Sequence, residues 1–169
     1  MPLVRMLRIA LFALPVLAAP AVRSLRAQDL GIEVGKRAPA AVVTTLDGKS
    51  VDLGAYVGKT PMFIEFWAWW CPNCRELEPA LLAAEKKYGS RVKFIGVAVS
   101  VNETPKQVKA YTDKHGLKHQ IVFDTDGNAA DAYDAPATSY VVIVDRTGKV
   151  VYTGLGGTQD LDAAIKKAL

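Results

Sequence analysis

Sulfur and imidazole ligands are scarce in this chain, which has two cysteines and two histidines in 169 residues. A tetrahedral zinc site needs four ligands. Beyond Cys71 and Cys74, the only further nitrogen or sulfur donors of this kind are His115 and His119, far along the chain. Neither cysteine lies near the N-terminus, which excludes lipid attachment through a thiol there. Repeats and low-complexity segments are also lacking. We expect no bound metal and no cofactor.

A basic surface is lacking as well, although the formal net charge is +4. Four arginines lie within the first 27 residues, and every acidic residue follows them. From Gln28 onward the chain has 17 basic and 17 acidic residues. A neutral body without a basic stripe does not fit phosphate binding, so we expect no nucleic-acid partner.

The first 27 residues have the features of a targeting segment. Arg5 and Arg8 precede an apolar run over residues 9–22, and Ala19-Pro20-Ala21 offers a cleavage pattern. This run is shorter than the span of about 20 residues that crosses a membrane. We therefore expect a signal peptide over residues 1–27, with an uncleaved membrane anchor as the alternative, and one domain over residues 28–169. Export would place that domain in a periplasmic or other extracytoplasmic compartment, where disulfide chemistry has substrates.

Apolar periodicity predicts strands that alternate with helices through the middle of the chain. A hairpin is expected around Asp47-Gly48, and a helix from Pro72 to Tyr88, with Gly89 at its end. This alternation indicates a parallel core with right-handed crossovers. The fold class is therefore α/β, a mixed sheet with an antiparallel edge and helices on both faces. The predicted strands are 61–67, 92–101, 119–124, 139–145 and 149–154, and the later helices are 104–115, 128–133 and 161–169.

The two cysteines form the sequence Cys71-Pro72-Asn73-Cys74, between a predicted strand and a predicted helix. A disulfide between them would close a very short loop, so it would add little stability as a structural staple. Covalent haem attachment needs a histidine after the second cysteine, where this chain has Arg75. A C-x-x-C pair at this position is typical of redox chemistry, and a metal clip is the weaker alternative.

The position of Cys71 just before the helix favours its thiolate. Unpaired backbone N–H groups and the helix macrodipole stabilise an anion there, which lowers the pKa of the thiol. Pro72 suits the first helical turn because it has no N–H to leave unsatisfied. Cys74 lies one turn further in, close enough to attack a mixed disulfide. We therefore predict that Cys71 is the attacking nucleophile and Cys74 the resolving thiol.

Residues 66–74, FWAWWCPNC, resemble the FWAxWCxxC active site of thioredoxin-fold proteins. Over about residues 31–169 the chain is similar to the TlpA/ResA-like thiol–disulfide oxidoreductases of the AhpC/TSA–thioredoxin superfamily. The resemblance implies a thioredoxin fold with an N-terminal β-hairpin and a central α/β insertion.

Residues of the family's site carry over onto this chain one at a time. Glu65 lies six positions before Cys71, where thioredoxins place a buried acid. Burial raises the pKa of a carboxyl, which suits proton transfer with Cys74; an exposed edge position for Glu65 is the alternative. Pro79 matches the proline that kinks the active-site helix, and Trp70 matches an aromatic wall of the site.

One departure from the family pattern lies in the helix. Many TlpA-like members have a glutamate three residues after the second cysteine, where this chain has Leu77. The neighbouring Glu76 and Glu78 are expected to face solvent, which makes Glu65 the stronger acid candidate.

A second departure concerns the loop that carries a cis-proline in the family. An ungapped comparison with YDAPATSYVVIVD, residues 133–145, puts Ser139 in the proline position. Pro136 lies three residues earlier, and a three-residue bulge would be needed to bring it into the loop. A cis bond before a residue other than proline costs about 3–4 kcal/mol, so we predict a trans Thr138–Ser139 peptide facing Cys71. The substrate contacts implied by the resemblance are Trp70, Pro72, Pro136, Thr138 and Ser139.

Two weaker features have structural explanations. His115 in the last turn of a predicted helix is expected to complement the helix macrodipole, and no ligand role is assigned to His119. Four aspartates between residues 124 and 134 lack the spaced loop of a calcium-binding EF-hand. Turn and cap roles are therefore expected for them, Asp124 included.

The resemblance implies an exported thiol–disulfide oxidoreductase that reduces protein disulfides, in cytochrome c maturation or in preparing metal-site thiols. Its partners would be protein thiols and disulfides and a membrane thiol electron donor, and we expect a monomer. A non-enzymatic copper- or other metal-binding protein is the first alternative. A thiol peroxidase is the second, and it would need a threonine three residues before the cysteine, where this chain has Ala68.

Overall fold

The computed structural model describes residues 30–169, so the predicted signal peptide lies outside the described residues. Seven strands and four helices follow in the predicted order. No helix within residues 30–169 combines the length and the apolar character needed to cross a bilayer. The strands are β1 (Val42–Thr45), β2 (Ser50–Asp52), β3 (Met62–Trp67), β4 (Lys93–Ala98), β5 (Gln120–Phe123), β6 (Tyr140–Val144) and β7 (Val150–Leu155). The helices are α1 (Pro72–Tyr88), α2 (Pro105–His115), α3 (Asn128–Ala132) and α4 (Leu161–Lys166).

All strands belong to one sheet with the order β2-β1-β5-β4-β3-β6-β7. The three central strands β3, β4 and β5 are parallel, and the remaining pairs are antiparallel. Parallel neighbours need crossover connections, which α1 and α2 supply. The predicted mixed α/β sheet with an N-terminal hairpin at one edge is confirmed.

Strand β3 lies in the interior of the sheet, between β4 and β6, and all six of its residues are buried. Successive side chains of a strand point to opposite faces. Ile64 and Phe66 enter the core that also contains Ala129 of α3. Phe63 enters the core that contains Leu77 of α1 and residues of α4. Helices therefore cover both faces, and Glu65 shares a face with Phe63.

Helix α1 begins where the sequence predicts. Cys71 is its N-cap residue and Pro72 occupies the first turn, while Pro79 lies inside the helix. Its buried stripe includes Leu77 and Leu81, which are 0% and 3% exposed. Burial of each such leucine contributes about 2 kcal/mol, which holds the N-terminus of α1 against the end of β3.

The central insertion consists of α2 and β5. Strand β5 joins the sheet beside β4, and α2 packs near the cysteine end of α1. Thr104 caps α2, and Gly116 ends it in the left-handed conformation with φ 68°, which glycine adopts at little cost. Val108 is fully buried and packs in one cluster with Trp67 and both cysteines. The insertion therefore closes over the cysteine end of α1.

Two predicted elements are too long. The predicted strand 92–101 ends at Ala98, because Ser100 and Asn102 have positive φ values of 59° and 53°, which are incompatible with a strand. The closing helix ends at Lys166 rather than at residue 169.

Candidate active site

Cys71 and Cys74 form a disulfide at the N-terminus of α1, with Cα atoms 5.3 Å apart. The Cys71 Sγ accepts a hydrogen bond from the Cys74 backbone N–H at 3.1 Å, so the sulfur itself caps the helix. The two residues are only 2% and 7% exposed. The strand–turn–helix placement predicted for the pair is present, and the roles of attacking and resolving thiol stay predictions.

The loop after β4 holds the segment that precedes Cys71. The Glu103 carboxylate accepts from the backbone N–H of Trp69 at 3.2 Å and of Ser100 at 3.3 Å. Trp70 Nε1 donates to the Val101 carbonyl at 2.8 Å. Glu103 is 8% exposed, and burial raises its pKa, while the Trp69 and Ser100 hydrogen bonds lower it. The sequence analysis missed Glu103; an acid just before the Thr104-Pro105 helix start was the available signal.

Glu65 lies in the middle of β3 and is 4% exposed, and it lines one small cavity together with Cys74. The alternative of an exposed edge position is therefore wrong. Burial, followed by the negative charge of Glu78, raises the pKa of Glu65 to about 8. Its Oε1 has no hydrogen-bond partner among residues 30–169. The carboxyl is therefore protonated at neutral pH, and its part in proton transfer stays a prediction.

Glu78 does not face solvent, so that expectation was wrong. Its Oε1 is 2.8 Å from His115 Nδ1, and its Oε2 accepts a hydrogen bond from the Tyr111 hydroxyl at 2.8 Å. Tyr111 and His115 stack with ring centroids 3.9 Å apart. Glu78 lies one helical turn after Cys74, and residues four apart share a helix face, so it points at the insertion. Glu76 is exposed, as expected.

Next to Cys74, a small cavity separates α1 from the insertion. Its volume is about 10 Å³, the room that one water molecule needs. The side chains that line it are Glu65, Trp67, Cys74, Glu78, Leu81, Tyr111, Leu117 and His119. Burial raises the pKa of Tyr111, and its hydrogen bond to Glu78 raises it further. Tyr111 therefore stays a hydrogen-bond donor beside the cysteines.

His119, to which the sequence analysis assigned no ligand role, is buried against α1. Its side chain is 4% exposed, and its Nδ1 is 3.2 Å from Glu85 Oε2. Burial lowers the pKa of His119 despite the charge of Glu85, so the ring is neutral at neutral pH. Glu78 and Glu85 are seven residues apart on α1, which places His115 and His119 on the same side of that helix.

The loop before β6 contains no cis peptide, like the rest of residues 30–169. The predicted trans Thr138–Ser139 bond is confirmed, and its position opposite Cys71 stays a prediction. Ser139 is fully buried with φ 64°. Its hydroxyl donates to the Gly156 carbonyl at 3.0 Å, and its own carbonyl accepts from Gln159 Nε2 at 3.2 Å. Pro136 is exposed.

Of the other residues predicted to contact substrate, Pro72 directly follows Cys71 and is exposed, and Trp70 is half-buried and packs against the cluster that contains both cysteines. Thr138 is half-buried. An open groove of about 440 Å³ begins next to this part of α1, and its lining includes Trp69, Arg75 and Lys114. Substrate contact by Trp70, Pro72, Pro136, Thr138 and Ser139 stays a prediction.

Asp124, one of the four aspartates considered as calcium ligands, has a structural role. Asp124 is 1% exposed, and its two carboxylate oxygens accept from the backbone N–H groups of Ala129 and Ala130 at 3.0 and 2.8 Å. The predicted cap role is confirmed for Asp124. Within residues 30–169, no three His, Cys, Asp or Glu side chains converge as metal ligands would.

A model of the Redoxin family matches residues 33–169 of this chain. The chain belongs to the Redoxin family. Among curated relatives, the thiol-disulfide oxidoreductase ResA of Bacillus thuringiensis subsp. konkukian is 32% identical over 71% of this chain and 68% of its own length. The thioredoxin-like protein YneN of Bacillus subtilis is 32% identical over 73% of this chain and 72% of its own length.

Solved structures place this Redoxin-family chain in the thioredoxin fold. The thioredoxin domain of a thiol-disulfide oxidoreductase from Bacteroides vulgatus has a TM-score of 0.69 at 24% identity, over 82% of this chain and 99% of that domain. A thioredoxin-family thiol:disulfide interchange protein from Chlorobium tepidum has a TM-score of 0.66 at 26% identity, over 79% and 96%. The expected family, fold and thioredoxin-like thiol–disulfide oxidoreductase class are confirmed.

Proposed function

We propose that this protein is an exported reductase of protein disulfides in which Cys71 attacks and Cys74 resolves. The observation that carries the proposal is the disulfide at the N-terminus of α1 together with the buried carboxyl of Glu65, which lines one small cavity with Cys74. The helix terminus stabilises a thiolate at the first cysteine. Glu65 accepts or returns the proton of the second.

The chemistry balances as two thiol–disulfide exchanges. The Cys71 thiolate attacks one sulfur of the substrate disulfide, and the other substrate sulfur leaves as a thiolate that takes a proton from water. The Cys74 thiol then gives its proton to Glu65 in its ionised form, which is the minor form at neutral pH because the pKa is about 8, and attacks Cys71 Sγ. The second substrate thiolate departs, so the substrate has gained two electrons and the enzyme has lost two. A membrane dithiol donor reverses the exchange and restores both thiols.

The predicted export signal at residues 1–27 and the family resemblance support a reductase in the periplasm or another extracytoplasmic compartment. After export it would be either released or attached to the membrane by an N-terminal anchor. The substrates we propose are disulfides whose cysteines must be reduced to thiols before they bind haem in cytochrome c or bind a metal. Export is tested by fusing residues 1–27 to a reporter enzyme that is active only outside the cytoplasm. An inactive fusion that accumulates in the cytoplasm would contradict it.

Activity is tested by insulin reduction with dithiothreitol as electron donor. Wild type and Asn73→Ala, which changes an exposed residue between the cysteines and leaves Pro72 in place, should accelerate insulin precipitation, and Cys71→Ser should not. In cells, Cys74→Ser should accumulate a mixed disulfide through Cys71 that dithiothreitol releases. Equal precipitation by wild type and Cys71→Ser would overturn the proposal.

A further inference from the structure

His119 separates two spaces in the molecule. On its inner side lies the cavity of about 10 Å³ next to Glu65 and Cys74. On its outer side lies an open depression of about 350 Å³, which His119 lines together with Glu85 and Gln120. The His119 side chain is 4% exposed, whereas that of Glu85 is 21% exposed. Glu85 therefore connects the buried ring to solvent.

The orientation of the ring follows from its contacts. Nδ1 is 3.2 Å from Glu85 Oε2, so Nδ1 points outward. Nε2 points toward the sheet, because it lies 3.3 Å from the position that a Cβ on Gly96 would occupy. Trp67 Nε1 lies 2.9 Å from that same position, and Gly96 pairs directly with Glu65 across β3 and β4. The inner nitrogen of His119 therefore faces the space above Glu65.

We propose that His119 and Glu85 form the route by which Glu65 exchanges its proton with solvent. The cavity has room for one water molecule, and Glu65 Oε1 and Trp67 Nε1 are both buried without a hydrogen-bond partner among the described residues. A water there joins the Glu65 carboxyl to Nε2. This inference rests on the proposed oxidoreductase function and assigns His119 and Glu85 as positioning residues for its acid.

The proton is conserved at each step. When Glu65 releases its proton, the cavity water passes one to His119 Nε2. The Nδ1 proton moves to the Glu85 carboxylate and from there to solvent, which leaves the other neutral tautomer of His119. Uptake runs in reverse: Nε2 gives its proton inward and Nδ1 regains one from Glu85. Proton release to solvent and proton uptake from solvent alternate over a redox cycle, so the starting tautomer of His119 is restored without rotation of the ring.

Glu78 is less suited to this role, although it lines the same cavity. Its two carboxylate oxygens already bind His115 and Tyr111. Its negative charge acts on Glu65 instead and raises the pKa of that carboxyl. The charged and titratable groups that line the two spaces are Glu65, Glu78, Glu85, Arg91, Lys93, Tyr111, Lys118 and His119.

The route matters only at alkaline pH. Below the Glu65 pKa of about 8, the oxidised protein keeps the proton on Glu65, ready for the thiolate of Cys74 when the disulfide is reduced. Above it, the carboxyl is ionised and the proton must enter from solvent.

The experiment measures reduction of the oxidised full chain by dithiothreitol, followed by tryptophan fluorescence from pH 6 to 9.5. Rates are expressed as the ratio of variant to wild type, which cancels the titration of the reductant.

For His119→Gln we expect a ratio within about two-fold of one at pH 6.5 and a loss of about ten-fold at pH 9, a modest general acid–base effect. Glu85→Gln should show the same pattern with a smaller loss, and it replaces His119→Gln if that variant does not fold. Glu78→Gln removes a negative charge that raises the Glu65 pKa. The pH at which the reduction rate changes should therefore be lower in this variant than in wild type. A His119→Gln or Glu85→Gln ratio that is constant over the pH range overturns the proposal. Failure of wild type to reduce insulin would defeat the proposed function alone, because this assay uses only the protein's own disulfide.

Discussion

Glu65 and Gly96 lie directly opposite each other on the parallel strands β3 and β4. A Cβ at Gly96 would lie 2.9 Å from Trp67 Nε1 and 2.8 Å from Ile121 Cδ1, so only glycine leaves these side chains in place. The missing side chain keeps open the space into which the Glu65 carboxyl, the inner nitrogen of His119 and the indole of Trp67 converge. A buried acid beside the redox-active pair thus depends on a glycine in the neighbouring strand.

Replacing Glu65 by Gln is expected to stabilise the oxidised protein at alkaline pH. Burial raises the Glu65 pKa from 4.5 to about 8, so the neutral carboxyl favours folding fully only below pH 4.5. That contribution is lost as the pH rises through about 8. The variant should equal wild type near pH 4 and exceed its free energy of unfolding by up to about 5 kcal/mol at pH 9. Urea denaturation with the disulfide intact measures this.

Glu76→Gln is the matched control for that series, since Glu76 is exposed and the change removes a surface carboxylate while leaving the buried one in place. A Glu65→Gln effect that does not change between pH 4 and pH 9 would contradict a raised pKa at this carboxyl.

Replacing Glu103 by Ala is expected to loosen the segment that precedes Cys71. The change leaves the N–H groups of Trp69 and Ser100 without their acceptor, which costs about 1–3 kcal/mol. Hydrogen exchange at the Trp69 amide should become faster than in a Glu33→Ala control, and chemical denaturation should show the loss of stability. Unchanged Trp69 exchange would mean that Glu103 does not hold this loop.

Replacing Gly96 by Ala is expected to destabilise the protein by about 1–3 kcal/mol, as overpacking does in a dense core. The Ile121 Cδ1 atom is the nearest obstacle, so Ile121→Val should recover part of the loss when the two changes are combined. A double-mutant cycle in thermal unfolding measures the coupling. Strictly additive effects would argue against the close approach of these two residues.

Introducing the family's proline at position 139 is expected to destabilise this chain. Ser139 has φ 64°, whereas proline holds φ near −65°, and the change also removes the hydroxyl that donates to Gly156. The expected loss is about 3 kcal/mol or more, while Ser139→Gly, which tolerates positive φ, should lose about 1 kcal/mol. Thermal denaturation compares the two. A proline variant as stable as the glycine variant would be inconsistent with this backbone conformation.

The sequence by itself determined the elements whose causes are local. The N-cap at Cys71, the proline in the first turn of α1 and the left-handed Gly116 at the end of α2 each depend on a few neighbouring residues. The mostly apolar run of residues 61–67 predicted a strand, and the structure shows β3 buried on both faces, as is usual for parallel strands. Burial of Glu65 was expected from the family resemblance, with an exposed edge position as the alternative, and the cover on both faces of β3 decides for burial.

Only the tertiary structure decided which side chains surround the cysteines. Glu103 binds the backbone of Trp69 across 34 positions, His115 binds Glu78 across 37, and His119 binds Glu85 across 34. Periodicity along α1 does not reveal which polar residue faces the insertion, so Glu78 was expected in solvent although it lines the inner cavity. Whether a carboxylate or an imidazole is solvated or buried depends on the element packed against it, and that partner is distant in sequence.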